Sequence, residues 1–172
     1  SYTTYHTGSN TDIVTTPTGG VCMMGGNTEN DEAMKWFLQR ANGGDVLVLR
    51  ATGSDGYNDY MYNDFGIAIN SVETIVVNSI AAANEPYVAQ QIAAAEALWI
   101  AGGDQYDYVS MWRNTPVETA INELINEKNA VVGGTSAGMA ILGSSYFSAA
   151  NGTVTSWEAL SNPYSLKVTL GH

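Results

Sequence analysis

Residues 45–50 read Asp-Val-Leu-Val-Leu-Arg, an unbroken apolar run with a charge at each end. That is the pattern of a strand covered on both faces, and such strands belong to parallel sheets whose crossover helices lie on either side. The rest of the chain supplies matching parts. Residues 20–25 (Gly-Val-Cys-Met-Met-Gly), 73–78, 98–102 and 130–133 are further short apolar runs. Between them, 32–41 places Ala33, Met34, Phe37, Leu38 and Ala41 at helical spacing, after cap-forming residues in 27–31. Segments 86–97 and 116–128 each open on a proline, which suits the first helical turn, and 137–142 begins another helix. Segment 51–64, rich in Gly, Asp, Asn and Tyr, reads as a long polar loop, and the residues before 20 as a polar N-terminal segment. Strand and helix alternate five times. This predicts one α/β domain over residues 1–172, a doubly wound, mostly parallel sheet with helices on both faces.

In such a sheet, ligands sit beyond the carboxyl ends of the strands. Three glycine-rich loops fall there: 25–30, 102–106 and 134–138. The last follows a buried apolar strand directly and reads Val-Val-Gly-Gly-Thr-Ser-Ala-Gly over 131–138. It satisfies the G-x-S-x-G pattern of a strand-turn-helix elbow, with Gly134 two before Ser136 and Gly138 two after. Small flanking residues let the turn be sharp enough to lift the Ser136 hydroxyl above the sheet. Ser136 also stands at a helix N-terminus, where free N–H groups favour developing negative charge. Ser136 is therefore the candidate nucleophile and the Ala137 N–H the first oxyanion donor. The loop Ala-Gly-Gly-Asp-Gln (101–105) offers the Gly103 N–H as the second donor and Asp104 and Gln105 as residues facing substrate. The alternative reading of each loop is structural: a glycine-rich turn with Ser136 capping one helix and Asp104 another.

A serine nucleophile needs a base, usually a histidine oriented by a carboxylate. The chain has two histidines, His6 and His172. His6 lies in the polar N-terminal segment and reads as a surface residue. His172, on a loop after the strand-like run 166–170, is a reasonable base by position. Glu158 is the candidate orienting carboxylate, with a helix cap as its other reading.

Composition narrows the partners. Six basic residues against 17 acidic ones give a formal net charge of −11, which argues against nucleic acid or an anionic membrane surface. It is compatible with a cationic substrate and equally with a solubility device. Cys22, the only cysteine, excludes an intramolecular disulfide and reads as a small core residue. No metal or cofactor motif is legible, since Gly25-Gly26-Asn27 lacks the lysine of a phosphate loop. No apolar run reaches the length of a membrane span. A charge-poor, Asn/Thr/Gly-rich composition and a start without Met lean towards an exported protein, with the cytoplasm as alternative.

Taken together, 133–138 and 101–105 resemble the cyanophycinase and dipeptidase E family of serine peptidases, on its cyanophycinase-like branch. The likeness extends to Met24-Gly25-Gly26, to 47–53 and to 154–170, nearly the whole chain. The resemblance implies a class I glutamine amidotransferase-like fold with serine as nucleophile. It implies cleavage of peptide or isopeptide bonds next to aspartyl residues, with a peptide of aspartyl-arginine type as substrate. It also implies that the base lies in an Asp-x-His segment beyond the Val-Thr-Leu-Gly run (168–171), outside this chain, which would make His172 an ordinary residue. Three explanations stay open: a cleaved protein whose C-terminal fragment is a second chain, a shortened chain, or a divergent protein that uses His172. The resemblance favours the first. A homodimer is compatible with the sequence. An inactive peptide-binding module of the same fold, and more remotely a lipase-like esterase, are the competing functions.

Overall fold

In the computed structural model, the described residues are 1–25, 28–143, 146–147, 149–152, 154–168 and 170–171. Six strands form one sheet: β1 (Thr3–Gly8), β2 (Gly20–Met24), β3 (Asp45–Arg50), β4 (Ser71–Val76), β5 (Ala97–Ile100) and β6 (Val131–Thr135). Their order is β1-β4-β3-β5-β6-β2. Strands β2 to β6 run parallel, and β1 alone is antiparallel, paired with β4. The sheet is thus mostly parallel, as the apolar runs predict.

Alternation along each strand builds two cores. One face carries Leu47, Leu49, Ile75, Leu98, Ile100 and Val132. It is covered by α3 (Ile80–Ala83), α4 (Pro86–Ala94), α5 (Gln105–Trp112), α6 (Pro116–Asn126) and the short α7 (Ala137–Ala140). The other face carries Val46, Val48, Val72, Trp99 and Val131, covered by α1 (Asp31–Gln39) and α2 (Asn58–Asn63). Helix α1 starts where Asn30 Oδ1 accepts the Ala33 N–H at 3.0 Å, and it buries Met34, Phe37 and Leu38. Each such side chain contributes about 1.5–3 kcal/mol on burial. Past the elbow, β7 (Tyr146–Phe147) and β8 (Leu170–Gly171) pair antiparallel, with α8 (Ser156–Ser161) between them in sequence. No helix among the described residues is long and apolar enough to cross a membrane.

Three features differ from the sequence reading. The N-terminal segment is a strand: β1 lies on the β4 edge, and its Tyr5 carbonyl accepts from Asn58 Nδ2 at 3.1 Å. Thr-Thr-Tyr-His-Thr has strand propensity without apolar alternation, because an exposed edge needs none. The polar stretch 51–64 contains α2, anchored by buried Met61 and by Asn58, which accepts from Thr74 Oγ1 at 2.6 Å. Residues after Asp104 form α5, whose Tyr108 and Trp112 are buried.

The connections diverge between β3 and β5. The chain leaves β3 towards β4 and leaves β5 towards β6, so a crevice opens at their carboxyl ends. Trp99 on β5 lies below it, fully buried, edge-on to Phe37 with ring centroids 5.1 Å apart. The ring occupies the space beside Gly133 on β6, where a Cβ would stand 2.5 Å from Trp99 Cζ3 and 2.9 Å from the Cys22 carbonyl oxygen. Gly133→Ala is expected to destabilise by about 3 kcal/mol through overpacking, read by urea unfolding. Gly56→Ala, whose Cβ meets no atom within 4 Å, should stay within about 0.5 kcal/mol of the wild type.

Two carboxylates are buried in the sheet layers. Glu96 accepts the Asp45 N–H at 2.7 Å and pairs with Lys128 at 3.3 Å. Glu73 accepts the Tyr87 hydroxyl at 2.7 Å and stands opposite His6 in the β1–β4 register. Burial pushes the Glu73 carboxyl up, against the Tyr87 hydroxyl and His6, which act the other way. The folded chain therefore holds this proton to higher pH than the unfolded chain. This group's contribution to stability falls as pH rises from the ordinary value of 4.5 through the raised one. Glu73→Gln is expected to match the wild-type Tm near pH 4 and to exceed it above that window, in thermal unfolding scans across pH.

Candidate functional site

The turn from β6 into α7 is strained at one residue. Ser136 has φ 51° and ψ −117°, a conformation that costs a non-glycine residue about 1–3 kcal/mol. Backbone bonds on both sides hold it: the Ser136 N–H donates to the Met24 carbonyl at 3.0 Å, and its carbonyl accepts from Ala140 N at 3.0 Å. Thr135 and Ala137 are buried, whereas Ser136 is exposed. The side chain is thus lifted out of the layer that buries its neighbours.

Glycine is required on both flanks. A Cβ on Gly138 would fall on the Ile100 carbonyl oxygen and 2.7 Å from that of Ala101. A Cβ on Gly134 would stand 2.7 Å from the Gly138 carbonyl carbon and 2.8 Å from the Ile100 oxygen. Without side chains at both positions, α7 starts directly against the end of β5.

That contact brings the loop after β5 to the serine. The Cβ position of Gly102 is 3.5 Å from Ser136 Cβ. Tyr108 Oη donates to the carbonyls of Ala101 at 2.6 Å and Gly102 at 3.1 Å. Burial pushes this phenol up to about 12, so it stays a donor. With both carbonyls drawn to Tyr108, the N–H groups of Gly102 and Gly103 point away from it, because C=O and N–H are opposed across a trans peptide. The first-turn N–H of Ala137 lies outside the α7 hydrogen-bond ladder by position. Gly102 is the residue the sequence reading passed over. Its only signal is that it is the first of two glycines.

The other expected residues fall as follows. Asp104 caps α5, its Oδ1 accepting the Tyr106 N–H at 2.9 Å, and Gln105 is the first residue of that helix. Glu158 lies in α8 in a capping box, Oε2 accepting from Thr155 N at 2.9 Å and Thr155 Oγ1 at 3.0 Å. Its Oε1 pairs with Lys167 Nζ at 2.9 Å. Lys167 and then Thr155 hold the carboxyl down at about 2. In this structure Glu158 serves as a helix cap and ion-pair partner. His6 is on β1, its Nε2 2.8 Å from the Ser9 carbonyl oxygen. Four strand spacings separate β1 from β6, roughly 19 Å, which removes His6 from reach of Ser136. His172 lies outside the described residues, so a base for Ser136 is not among those described.

A second group of side chains comes from the segments that follow β2 and β3. Thr28, Glu29, Asp31, Arg50, Gly56, Tyr57 and Tyr60 line a cavity of 480 Å³. Arg50 pins the loop after β3, with Nε donating to the Thr52 carbonyl at 2.5 Å and Nη1 to that of Ser54 at 3.0 Å. Tyr57 donates to Glu29, and its Oη is 3.3 Å from Thr135 Oγ1. Among the described residues, no group of three His, Cys, Asp or Glu side chains could hold a metal ion.

The chain is similar to known proteins. A family model described as peptidase family S51 matches residues 13–162. The cyanophycinases of Synechococcus elongatus and of Thermosynechococcus vestitus (strain NIES-2133 / IAM M-273 / BP-1) are each 28% identical over 112 residues. Each match covers 62% of this chain but 35% of the relative, so the chain spans about a third of the curated relatives' length. A solved structure described as a peptidase from an acI-B1 Actinobacterium superposes with a TM-score of 0.61 at 17% identity, over 76% of this chain and 59% of that one. At that identity the likeness concerns the fold alone. The family match runs without a break from before β2 through β6, the elbow and α8, and on that ground the chain belongs to peptidase family S51.

Proposed function

We propose that this chain carries the nucleophile and oxyanion donors of a serine peptidase that hydrolyses peptide or isopeptide bonds next to aspartyl residues. The observation that carries this is the strained, exposed Ser136 set against the Gly102–Gly103 backbone at the end of the neighbouring strand. A strained residue of this kind persists only where its surroundings enforce it. Here they enforce a hydroxyl aimed out of the sheet. The similarity to cyanophycinases supports an aspartyl-arginine type of substrate.

Ser136 Oγ attacks the scissile carbonyl, forming the C–O bond as its proton passes to a histidine. The N–H groups of Gly103 and Ala137 donate to the carbonyl oxygen as it becomes negative, the largest single stabilisation in acyl transfer. Collapse breaks the C–N bond, and the histidine returns the proton to the departing amine. Water then attacks the acyl-enzyme by the same route. The histidine is His172 or one outside this chain, as on a C-terminal fragment of the same protein held as a second polypeptide. Glu158 is the carboxylate assigned to orient it. Asp104 and Gln105, at the start of α5, face the substrate. The negative net charge suits a substrate bearing guanidinium groups. The charge-poor, Asn/Thr/Gly-rich composition suits export from the cell.

The test is turnover of a β-aspartyl-arginine dipeptide by the full natural protein. Ser136→Ala is expected to lower kcat by about 10³-fold or more while leaving the Tm unchanged within a degree or two. Turnover that survives the substitution refutes the assignment.

A further inference from the structure

We propose that the Tyr57 hydroxyl, through Thr135, is the positioning group that holds the Ser136 turn in its strained conformation; its catalytic meaning rests on Ser136 being the nucleophile. Tyr57 is the N-cap of α2, after β3, and its hydroxyl meets one partner on another loop and one at the end of another strand. Glu29 follows β2, and Thr135 is the last residue of β6. A carboxylate can only accept, so the Tyr57 O–H donates to Glu29, and the Thr135 O–H donates to Tyr57 Oη. One phenol therefore ties together the segments that follow β2 and β3 and the carboxyl end of β6.

The phenol itself has little freedom. Its ring leans on Trp99, centroids 6.1 Å apart. Trp99 is fully buried and wedged between Phe37 and Gly133. Beyond Glu29, the Asn30 N–H meets Met24 Sδ at 3.4 Å, and the Met24 carbonyl takes the Ser136 N–H. The peptide between Thr135 and Ser136 is thus restrained from both ends. Met24 holds the Ser136 amide, and Tyr57 fixes the rotor of Thr135, which is buried with 5% of its surface exposed. A turn that stores about 1–3 kcal/mol needs such double restraint, since a single tether would let it relax.

The experiment reads the turn and the chemistry separately. Amide hydrogen exchange at Ser136 and the second-order rate of Ser136 labelling by a small fluorophosphonate are measured on the full natural protein and on Tyr57→Phe, Thr135→Val and the double variant. Each single substitution is expected to raise Ser136 exchange and slow labelling by about five- to tenfold, the worth of one hydrogen bond. The double variant should be no worse than Tyr57→Phe alone, because that substitution already removes the bond to Thr135. Amides of β1, at the opposite edge of the sheet, should keep wild-type protection. Unchanged Ser136 exchange in Tyr57→Phe overturns the proposal. So do strictly additive effects in the double variant, or a rise spread across β1, which would mark general loosening. If the wild type is not labelled while Ser136 exchange still follows Tyr57, the nucleophile assignment falls and the positioning role stands.

Discussion

The first turn of α7 lies directly on the carbonyl oxygens that end β5. That contact fixes the rest of the site. It requires glycine at 138 and 134, since a methyl at either would collide with Ile100, Ala101 or Gly138 backbone atoms. It forces Ser136 into a positive φ, because no relaxed conformation turns the chain so sharply from strand to helix at this distance. It also brings Gly102 within van der Waals reach of Ser136. The exposed serine, the first-turn N–H of Ala137 and the Gly102 backbone are thus brought together by one close approach. The geometry of the site is a property of how β5 and β6 end, more than of any side chain other than Ser136.

The layers around that contact serve it in different ways. On one face, Tyr108 draws the Ala101 and Gly102 carbonyls to itself and so turns the glycine N–H groups outward. On the other face, Tyr57 packs on Trp99 beneath the crevice between β3 and β5, the place where the connections of the sheet diverge. Tyr57 is pushed above its ordinary range by burial and then by Glu29, which keeps it protonated and able to donate. The buried carboxylates Glu73 and Glu96 belong to the sheet layers and have their own partners in Tyr87 and Lys128.

Much of this was legible in the sequence because the parallel strands are buried on both faces and show as apolar runs. The residues 45–50 and 130–133 mark β3 and β6 closely, and the glycine spacing about Ser136 marks the elbow. What sequence could not show was carried by other physics. The edge strand β1 needs no apolar alternation. Helix α2 rests on one buried methionine and one asparagine, Met61 and Asn58, inside a stretch whose composition is that of a loop. Tyr57, Glu29 and Thr135 are far apart in sequence, and nothing in their spacing announces that they meet. Gly102 and Gly103 are equivalent as letters. Only the contact with Ser136 distinguishes them. Glu158 shows the opposite case: the capping box Thr155-x-x-Glu158 is a local pattern, and the structure fills it as such.

The central claim is that Ser136 attacks while backbone N–H groups of two loops hold the oxyanion. The most direct measurement is a crystal structure of the full natural protein after reaction with a fluorophosphonate. The account predicts a phosphorus–oxygen bond to Ser136 Oγ, with the phosphonyl oxygen within hydrogen-bonding distance of the N–H groups of Ala137 and Gly103. An adduct on another residue, or a phosphonyl oxygen turned to solvent away from both loops, would contradict it.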